Sequence, residues 1–173
     1  LSHRNHSVDT AMYPLGSCTM KYNPKINEVT VRLPGLSDIH PYQPEATVQG
    51  ALQLINELEA DLAQITGFTA VSTQPAAGSQ CELAGILGIL AYHQSRGEER
   101  TRVLVPDSAH GTNPATGTMS GLDVTNLPTD HEGGIDLAEL DNRMDSDVAA
   151  IMLTLPSTLG LFERRILDVV QRV

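Results

Sequence analysis

The sequence predicts a three-layer α/β domain built on a mostly parallel sheet. Four short apolar runs alternate with helical patterns, and they are predicted strands at residues 68–73, 102–105, 122–127 and 148–153. Such alternation is typical of parallel sheets covered by helices on both faces. Three of the runs lead directly into polar loops, at residues 74–82, 107–114 and 154–160. Because the carboxyl ends of parallel strands share one edge, a single ligand could contact all three loops.

The first long helix is predicted at residues 45–66. Its apolar side chains recur at three- and four-residue steps, and they are Val48, Leu52, Ile55, Leu58, Leu62 and Ile65. Gly67 follows as the C-terminal stop. The pattern predicts a helix that packs into the core, and no residue on it has an evident chemical role.

A second helix follows the 74–82 loop and is predicted to end near Gly97. Gly85 and Gly88 within it would allow close approach to a sheet or another helix. His93 near its end is interpreted as a solvated or core histidine rather than a ligand.

Two helices are predicted in the last third of the chain. A turn at residues 130–134 precedes the first, which Asp136 caps and which runs to about Met144. The second covers residues 166–173 and has no stop signal at its end. This unfinished pattern, and a first residue that is not Met, indicate a piece of a longer protein.

The 74–82 loop is the strongest candidate for a binding site. It is small and Gly-rich, it carries a hydroxyl and an amide, and it runs into a helix. Free backbone N–H groups at a helix N-terminus suit a phosphate, and the helix dipole favours the same charge. The alternative is a tight turn that Ser79 caps, with Glu82 three residues later completing a capping box.

The 107–114 loop is a second candidate. His110 could stack on a flat ring or shuttle a proton, and Ser108, Thr112 and Asn113 could hydrogen-bond to ring or phosphate substituents. In the alternative, Asp107 or Ser108 caps the following helix and His110 is paired with the backbone.

The N-terminal part, residues 1–44, contains five prolines and no sustained period, so it is predicted to be an extended arm. Within it, Ser17, Cys18 and Thr19 offer two hydroxyls and a thiol beside Lys21, which would suit an anion-contacting loop. The alternative is an arm that wraps the surface or a partner subunit.

Composition excludes several classes of function. The formal charge of −10 argues against nucleic acid or an anionic membrane surface as the main partner. There is no apolar run of membrane-spanning length, no zinc-type Cys/His spacing, no Walker loop and no Gly-rich dinucleotide motif. Two isolated cysteines indicate a reducing compartment rather than a disulfide framework.

Four segments together resemble the P-protein family of the glycine cleavage system, in its C-terminal, catalytic half (a separate subunit 2 in many bacteria and archaea). They span nearly the whole chain in the family's order, and they are residues 12–28 (MYPLGSCTMKYNPKINE), 74–93 (QPAAGSQCELAGILGILAYH), 105–115 (VPDSAHGTNPA) and 152–163 (MLTLPSTLGLFE). The resemblance implies part of the large domain of a fold type I enzyme that depends on pyridoxal 5′-phosphate (PLP). It also implies decarboxylation of glycine, with transfer of the aminomethyl group to the lipoyl arm of the H-protein.

The resemblance assigns the predicted loops to the cofactor. Ala77, Gly78, Ser79 and Gln80 would hold the phosphate, His110 would lie against the ring with Thr112 and Asn113 nearby, and Ser157 or Thr158 would approach the ring hydroxyl. Ser17, Cys18 and Thr19 would line the site or a subunit contact. The implied organisation is an arm at residues 1–44 and a partial PLP-binding domain at 45–173. The implied partners are glycine, the lipoylated H-protein and P-protein subunit 1 or the N-terminal half, in a bacterial or archaeal cytoplasm.

The chain also departs from the family. Cys81 stands where Gly is usual, and it is tolerated if its side chain points into the helix packing. Leu155 and Ser157 replace two amides, and neither Lys21 nor Lys25 matches the family's Schiff-base lysine, so no catalytic residue is assigned and no metal is expected. The chain alone is expected to be inactive. The alternatives are a non-catalytic scaffold subunit related to the P-protein, or another fold type I enzyme such as a cysteine desulfurase or aminotransferase.

Overall fold

Three parallel strands form the sheet of the computed structural model, which describes Arg4 and residues 24–173. They are β1 (Arg102–Pro106), β2 (Asp123–Leu127) and β3 (Val148–Ile151), in the spatial order β2-β1-β3. β1 is therefore the central strand and pairs with both neighbours. The described chain divides into two compact units with the boundary between Val71 and Ser72, and the sheet lies in the second.

Helices cover both faces of the sheet. They are α4 (Gly78–Ser95) and α5 (Thr112–Met119) on one face, and α6 (Leu137–Arg143) and α7 (Ile166–Arg172) on the other. Alternate residues of β1 point to opposite faces. Val103 and Val105 join a buried cluster with Ile86 of α4, and Leu104 joins a second cluster with residues of α6 and α7. The predicted three-layer α/β/α arrangement is confirmed.

The first unit is helical. It contains α1 (Lys25–Thr30), α2 (Pro34–Ser37), a 3₁₀ turn (Glu45–Thr47) and α3 (Gln49–Thr66). α3 ends at Gly67, whose φ of 77° is the left-handed conformation expected of a C-terminal stop. No residue of α3 is buried, so the prediction of a core-packing helix is wrong for the described chain. Periodicity identifies the apolar face of a helix but not what covers it.

The predicted strand at residues 68–73 is also wrong, because this segment has no regular secondary structure. A strand exists only where a neighbouring strand exchanges backbone hydrogen bonds with it, and no described strand pairs with these residues. The segment instead leads in irregular conformation into α4.

Close helix-to-sheet packing occurs at a different glycine from those predicted. A Cβ atom at Gly85 or Gly88 would meet no described atom within 4 Å, so the prediction for these two residues is wrong for the described chain. A Cβ atom at Gly117 of α5 would lie 2.8 Å from Cγ1 of Val103 and 2.9 Å from Cγ2 of Val124. Gly117 is therefore the residue that lets a helix approach the sheet.

The predicted features around α6 are confirmed. Asp130 and Gly134 close a turn by a 2.8 Å backbone hydrogen bond. The Asp136 carboxylate caps α6 by accepting from the N–H groups of Ala138 and Glu139 at 2.9 and 3.1 Å.

His93 is a core histidine, as one of its two interpretations held. It is 9% exposed, its Nδ1 lies 2.8 Å from Oε2 of Glu98, and its Nε2 lies 3.2 Å from the carbonyl oxygen of Ala149. Hydrogen bonds from His93, then Arg100, then Arg96 lower the pKa of Glu98 from 4.5 to about 2. The cluster links the end of α4 to β3.

The depressed pKa of Glu98 makes stability depend on acid. A carboxylate whose pKa is lower in the folded state contributes stability that is complete above pH 4.5 and is lost as the pH falls towards 2. We expect Glu98→Gln to lose less stability than the wild type between pH 5 and about pH 2.5, because its side chain no longer titrates. Urea unfolding across this range measures it. Glu99→Gln, at a neighbouring exposed carboxylate, is the control, and equal acid dependence of wild type and Glu98→Gln would contradict the assignment.

Candidate functional site

The loops after β1 and β3 meet at the carboxyl edge of the sheet, as predicted. The backbone N–H of His110 donates to the hydroxyl oxygen of Thr154 at 3.0 Å. Thr158 donates both its N–H and its hydroxyl to the carbonyl oxygen of Ser108, at 3.0 and 2.9 Å. These three hydrogen bonds join the loop after β1 to the loop after β3. The hydroxyl hydrogen of Thr158 is engaged by Ser108 in one of them.

The N-terminal part of α4 joins this edge through one carboxylate, that of Glu82. Glu82 accepts hydrogen bonds from the hydroxyls of Thr112 at 2.7 Å and Thr116 at 3.2 Å, both on α5. The alternative interpretation of this loop as a capping box is wrong, because Ala77 is the N-cap, no side chain caps the helix, and Glu82 contacts α5 instead. The start of α4 is thereby fixed to the His110 loop.

The start of α4 presents backbone donors. The N–H groups of Gln80 and Cys81 donate to the carbonyl oxygen of Ala77, whereas those of Gly78 and Ser79 have no acceptor among the described residues. A Cβ atom at Gly78 would meet nothing within 4 Å. The Gln80 side chain closes the preceding turn by accepting from the N–H of Ala76 at 2.6 Å. An open, uncapped helix start of this kind matches the donor set that an anion requires.

His110 is positioned by side chains of its own loop. Its Nδ1 lies 2.8 Å from Oγ1 of Thr112 and 3.2 Å from the Thr112 backbone nitrogen. Neither Asp107 nor Ser108 caps α5, because Gly111 is the N-cap and makes no side-chain bond. The capping part of that alternative is wrong, whereas the His110 ring does contact a backbone N–H, that of Thr112. Asp107 instead accepts from the N–H of Thr129 at 3.3 Å.

Asn113 is 4% exposed, and its N–H donates to the carbonyl oxygen of His110 at 3.0 Å. The residue therefore belongs to the packed start of α5. The structure therefore buries it in the first turn of α5 rather than leaving it in an open position.

Ser157 lies in the loop after β3, beyond the cis bond between Leu155 and Pro156. It lines a small cleft together with Leu153, Phe162 and Glu163. The cleft is also lined by Ser108 and Ala109 of the His110 loop and by Ile135, whereas His110 and the start of α4 are not among its lining residues.

Sequence reasoning missed two connecting residues. Glu163 accepts from the N–H of Ile135 at 2.7 Å and from that of Arg165 at 2.9 Å, which closes one wall of the cleft. The second residue is Glu82, for which the sequence spacing predicts a capping role and not the contact with α5. No sequence signal could have found the second role, because the two threonines that contact Glu82 lie 30 and 34 residues away.

The remaining residues singled out in the sequence are Cys81 and three residues of the N-terminal arm. Cys81 is a free, exposed cysteine, so the condition under which it would be tolerated, a side chain that points into the helix packing, is not met in the described chain. Ser17, Cys18 and Thr19 lie outside the described residues.

Over Arg4 and residues 24–173, no group of three or more His, Cys, Asp or Glu side chains could hold a metal ion. None of the helices described above combines the length and the hydrophobicity needed to cross a bilayer.

Comparison with known proteins identifies strong similarity. No family model matches the chain. Two curated bacterial relatives are each named probable glycine dehydrogenase (decarboxylating) subunit 2. The protein of Halalkalibacterium halodurans is 57% identical over 169 residues, which cover 97% of this chain and 35% of the relative. The protein of Exiguobacterium sibiricum is 55% identical over 174 residues, which cover 100% of this chain and 35% of the relative.

A solved structure supports the fold. The crystal structure of glycine decarboxylase (P-protein) of the glycine cleavage system, in inhibitor-bound form, matches with a TM-score of 0.67. It is 24% identical, and the match covers 86% of this chain and 33% of that one, so it is evidence for the fold alone. Over nearly its whole length the chain is similar to glycine dehydrogenase (decarboxylating) subunit 2 proteins, and it spans about a third (35%) of the length of the curated relatives it matches.

Proposed function

We propose that the chain supplies part of the PLP site of a glycine-decarboxylating P-protein, in which PLP binds at the start of α4. When bound, PLP supplies an electron sink for the loss of CO₂ from glycine. The aminomethyl group that remains would pass to a lipoylated H-protein. The relatives' names support the reaction, and the uncapped start of α4, fixed to the His110 loop by Glu82, is the observation that carries the assignment.

The described residues fit a phosphate group. Gly78 and Ser79 offer two backbone N–H groups without described acceptors, and the position above Gly78 is open. An 18-residue helix adds the positive end of its dipole at the same point. Bulky side chains at residues 77–79 would obstruct that approach, and the sequence there is Ala, Gly and Ser.

We assign the other residues as follows. The Ser79 hydroxyl and the backbone of residues 77–80 hold the phosphate, and His110 lies against the ring. Thr112 acts through His110, since its hydroxyl is bonded to Glu82. Asn113 supports the loop through the hydrogen bond of its N–H to His110. Ser157 and Thr158 approach the site from the loop after β3, where Thr158 is bonded to Ser108.

Other parts of the proposal concern the longer protein. Neither Lys21 nor Lys25 is assigned as the lysine that bonds PLP covalently, so the chain alone is expected to be inactive. The arm at residues 1–44, with Ser17, Cys18 and Thr19 near the site, and the PLP-binding part at 45–173 remain proposals. A cytoplasmic location and association with subunit 1 belong to the same proposal.

Replacing Ser79 tests the phosphate site. We expect Ser79→Ala to weaken PLP binding roughly 10- to 150-fold, because a hydrogen bond to a charged group such as the phosphate contributes about 1.5 to 3 kcal/mol. The measurement is a PLP titration of the full-length protein, followed by the absorbance of the bound cofactor. Ser95→Ala, at the opposite end of the same helix, should bind PLP as the wild type does.

Two results would count against the proposal. Equal PLP affinity of Ser79→Ala and Ser95→Ala would place the phosphate elsewhere. A wild-type protein that is folded and binds no PLP would favour the non-catalytic scaffold. An exposed Cys81 at the start of α4 is compatible with that role, because a scaffold binds no phosphate there.

A further inference from the structure

A chain of three side chains connects α4 to the ring of His110. Oε1 of Glu82 lies 2.7 Å from Oγ1 of Thr112, and the same Oγ1 lies 2.8 Å from Nδ1 of His110. Both distances are those of short, well-formed hydrogen bonds. The three groups are all partly buried, so water competes weakly for these contacts.

Donor and acceptor counts decide the direction of this chain. A threonine hydroxyl has one hydrogen, and a carboxylate has none to give. Oε1 of Glu82 needs the hydrogen of Thr112, while Oε2 takes that of Thr116, which is 4% exposed. Once the Thr112 hydrogen points to Glu82, its oxygen can only accept from His110. The 2.8 Å contact then requires a hydrogen on Nδ1.

A competing contact would favour the opposite tautomer. The backbone N–H of Thr112 points at Nδ1 from 3.2 Å and would need a lone pair there. With a lone pair on Nδ1, a Thr112 hydrogen that points to Glu82 would leave two lone pairs, those of Nδ1 and Oγ1, facing each other at 2.8 Å. A Thr112 hydrogen that points to Nδ1 would instead leave Oε1 of Glu82 without a donor at 2.7 Å. The two shorter contacts are jointly satisfied only by the hydrogen on Nδ1.

We infer that Glu82 is a positioning residue: through the Thr112 hydroxyl it holds the neutral ring of His110 in the tautomer with hydrogen on Nδ1 and a lone pair on Nε2. A ring whose tautomer and orientation are fixed presents the same face and the same acceptor in every molecule. The relevance of this device to PLP rests on the proposed function, but the tautomer itself does not.

The test reads the tautomer directly and needs no cofactor. The full-length protein is labelled with ¹⁵N-histidine, and long-range ¹⁵N–¹H spectra are recorded without PLP at about pH 8, where a histidine of ordinary pKa is neutral. The His110 signals are assigned by their loss in His110→Gln. We expect Nδ1 at the hydrogen-bearing ¹⁵N position and Nε2 at the unprotonated one.

Three variants separate positioning from general structure. Thr112→Val removes the hydroxyl but keeps the backbone N–H that faces Nδ1, so the hydrogen should move to Nε2. Thr112→Ser restores the hydroxyl and should restore the wild-type spectrum. Thr116→Val removes the donor to Oε2 only, and should leave the hydrogen on Nδ1.

The inference is overturned if the wild type carries the hydrogen on Nε2, or if Thr112→Val keeps it on Nδ1 while remaining folded by circular dichroism. A protein that shows the expected spectra in all variants but binds no PLP would overturn the proposed function and leave the His110 tautomer and the role of the Thr112 hydroxyl established.

Discussion

Truncation of Leu104 to alanine is expected to lower the free energy of unfolding by about 2 to 5 kcal/mol. Leu104 is 0% exposed and lies at the middle of the central strand, in the cluster that joins the sheet to α6 and α7. Its neighbours Leu127, Leu140 and Val148 are themselves 0–2% exposed and belong to three different elements. A cavity surrounded on so many sides cannot close by a small local shift, so the cost falls towards the upper part of the range.

Denaturant unfolding of the full-length protein measures the effect of Leu104→Ala. Leu167→Ala removes the same atoms from a residue of α7 that is 74% exposed, and its effect should stay within about 0.5 kcal/mol. If both variants lost the same stability, the packing of α6 and α7 on the sheet would be wrong.

Gly117→Ala is expected to destabilise the protein by about 1 to 3 kcal/mol, although alanine is the better helix former. The added methyl would lie 2.8 and 2.9 Å from side-chain carbons of Val103 and Val124, well inside van der Waals contact. Val103 is 0% exposed on β1, so α5 must move away from the sheet to make room. That movement would also strain the contact between Thr112 and Glu82.

Gly85→Ala provides the matched control, because its added methyl meets no described atom within 4 Å. It should leave stability unchanged or raise it by up to about 1 kcal/mol through helix propensity. Opposite signs for the two glycine variants, read as shifts of the melting temperature, would confirm that only α5 needs the close approach. Stabilisation by both would refute it.

The sheet could be predicted because its signals are local. Val103, Leu104 and Val105 form an apolar run, and Asp136 caps a helix with its own neighbours. The failures concern partners that local patterns do not specify. Residues 68–73 look like a strand but have no described neighbour to pair with, and the apolar face of α3 has no described cover.

The candidate site divides in the same way. The position of His110, Ser108 and Thr154 at one edge follows from parallel strands, and it was predictable. The contact of Glu82 with Thr112 depends on how α4 and α5 pack side by side, which the sequence around Glu82 does not encode locally. Ser79 and Glu82 matched a capping box by spacing, and the tertiary contact was preferred over it.

The central place of β1 has a consequence for synthesis on the ribosome. β1 pairs with β2 soon after α5 is made, but its other edge waits for β3, and 20 residues separate Leu127 from Val148. When synthesis proceeds at about 5–20 residues per second, this edge of β1 stays unpaired for about 1 to 4 s during translation. An open strand edge is a template for pairing with other chains. Translation speed between these two strands therefore sets how long each nascent chain is exposed to aggregation.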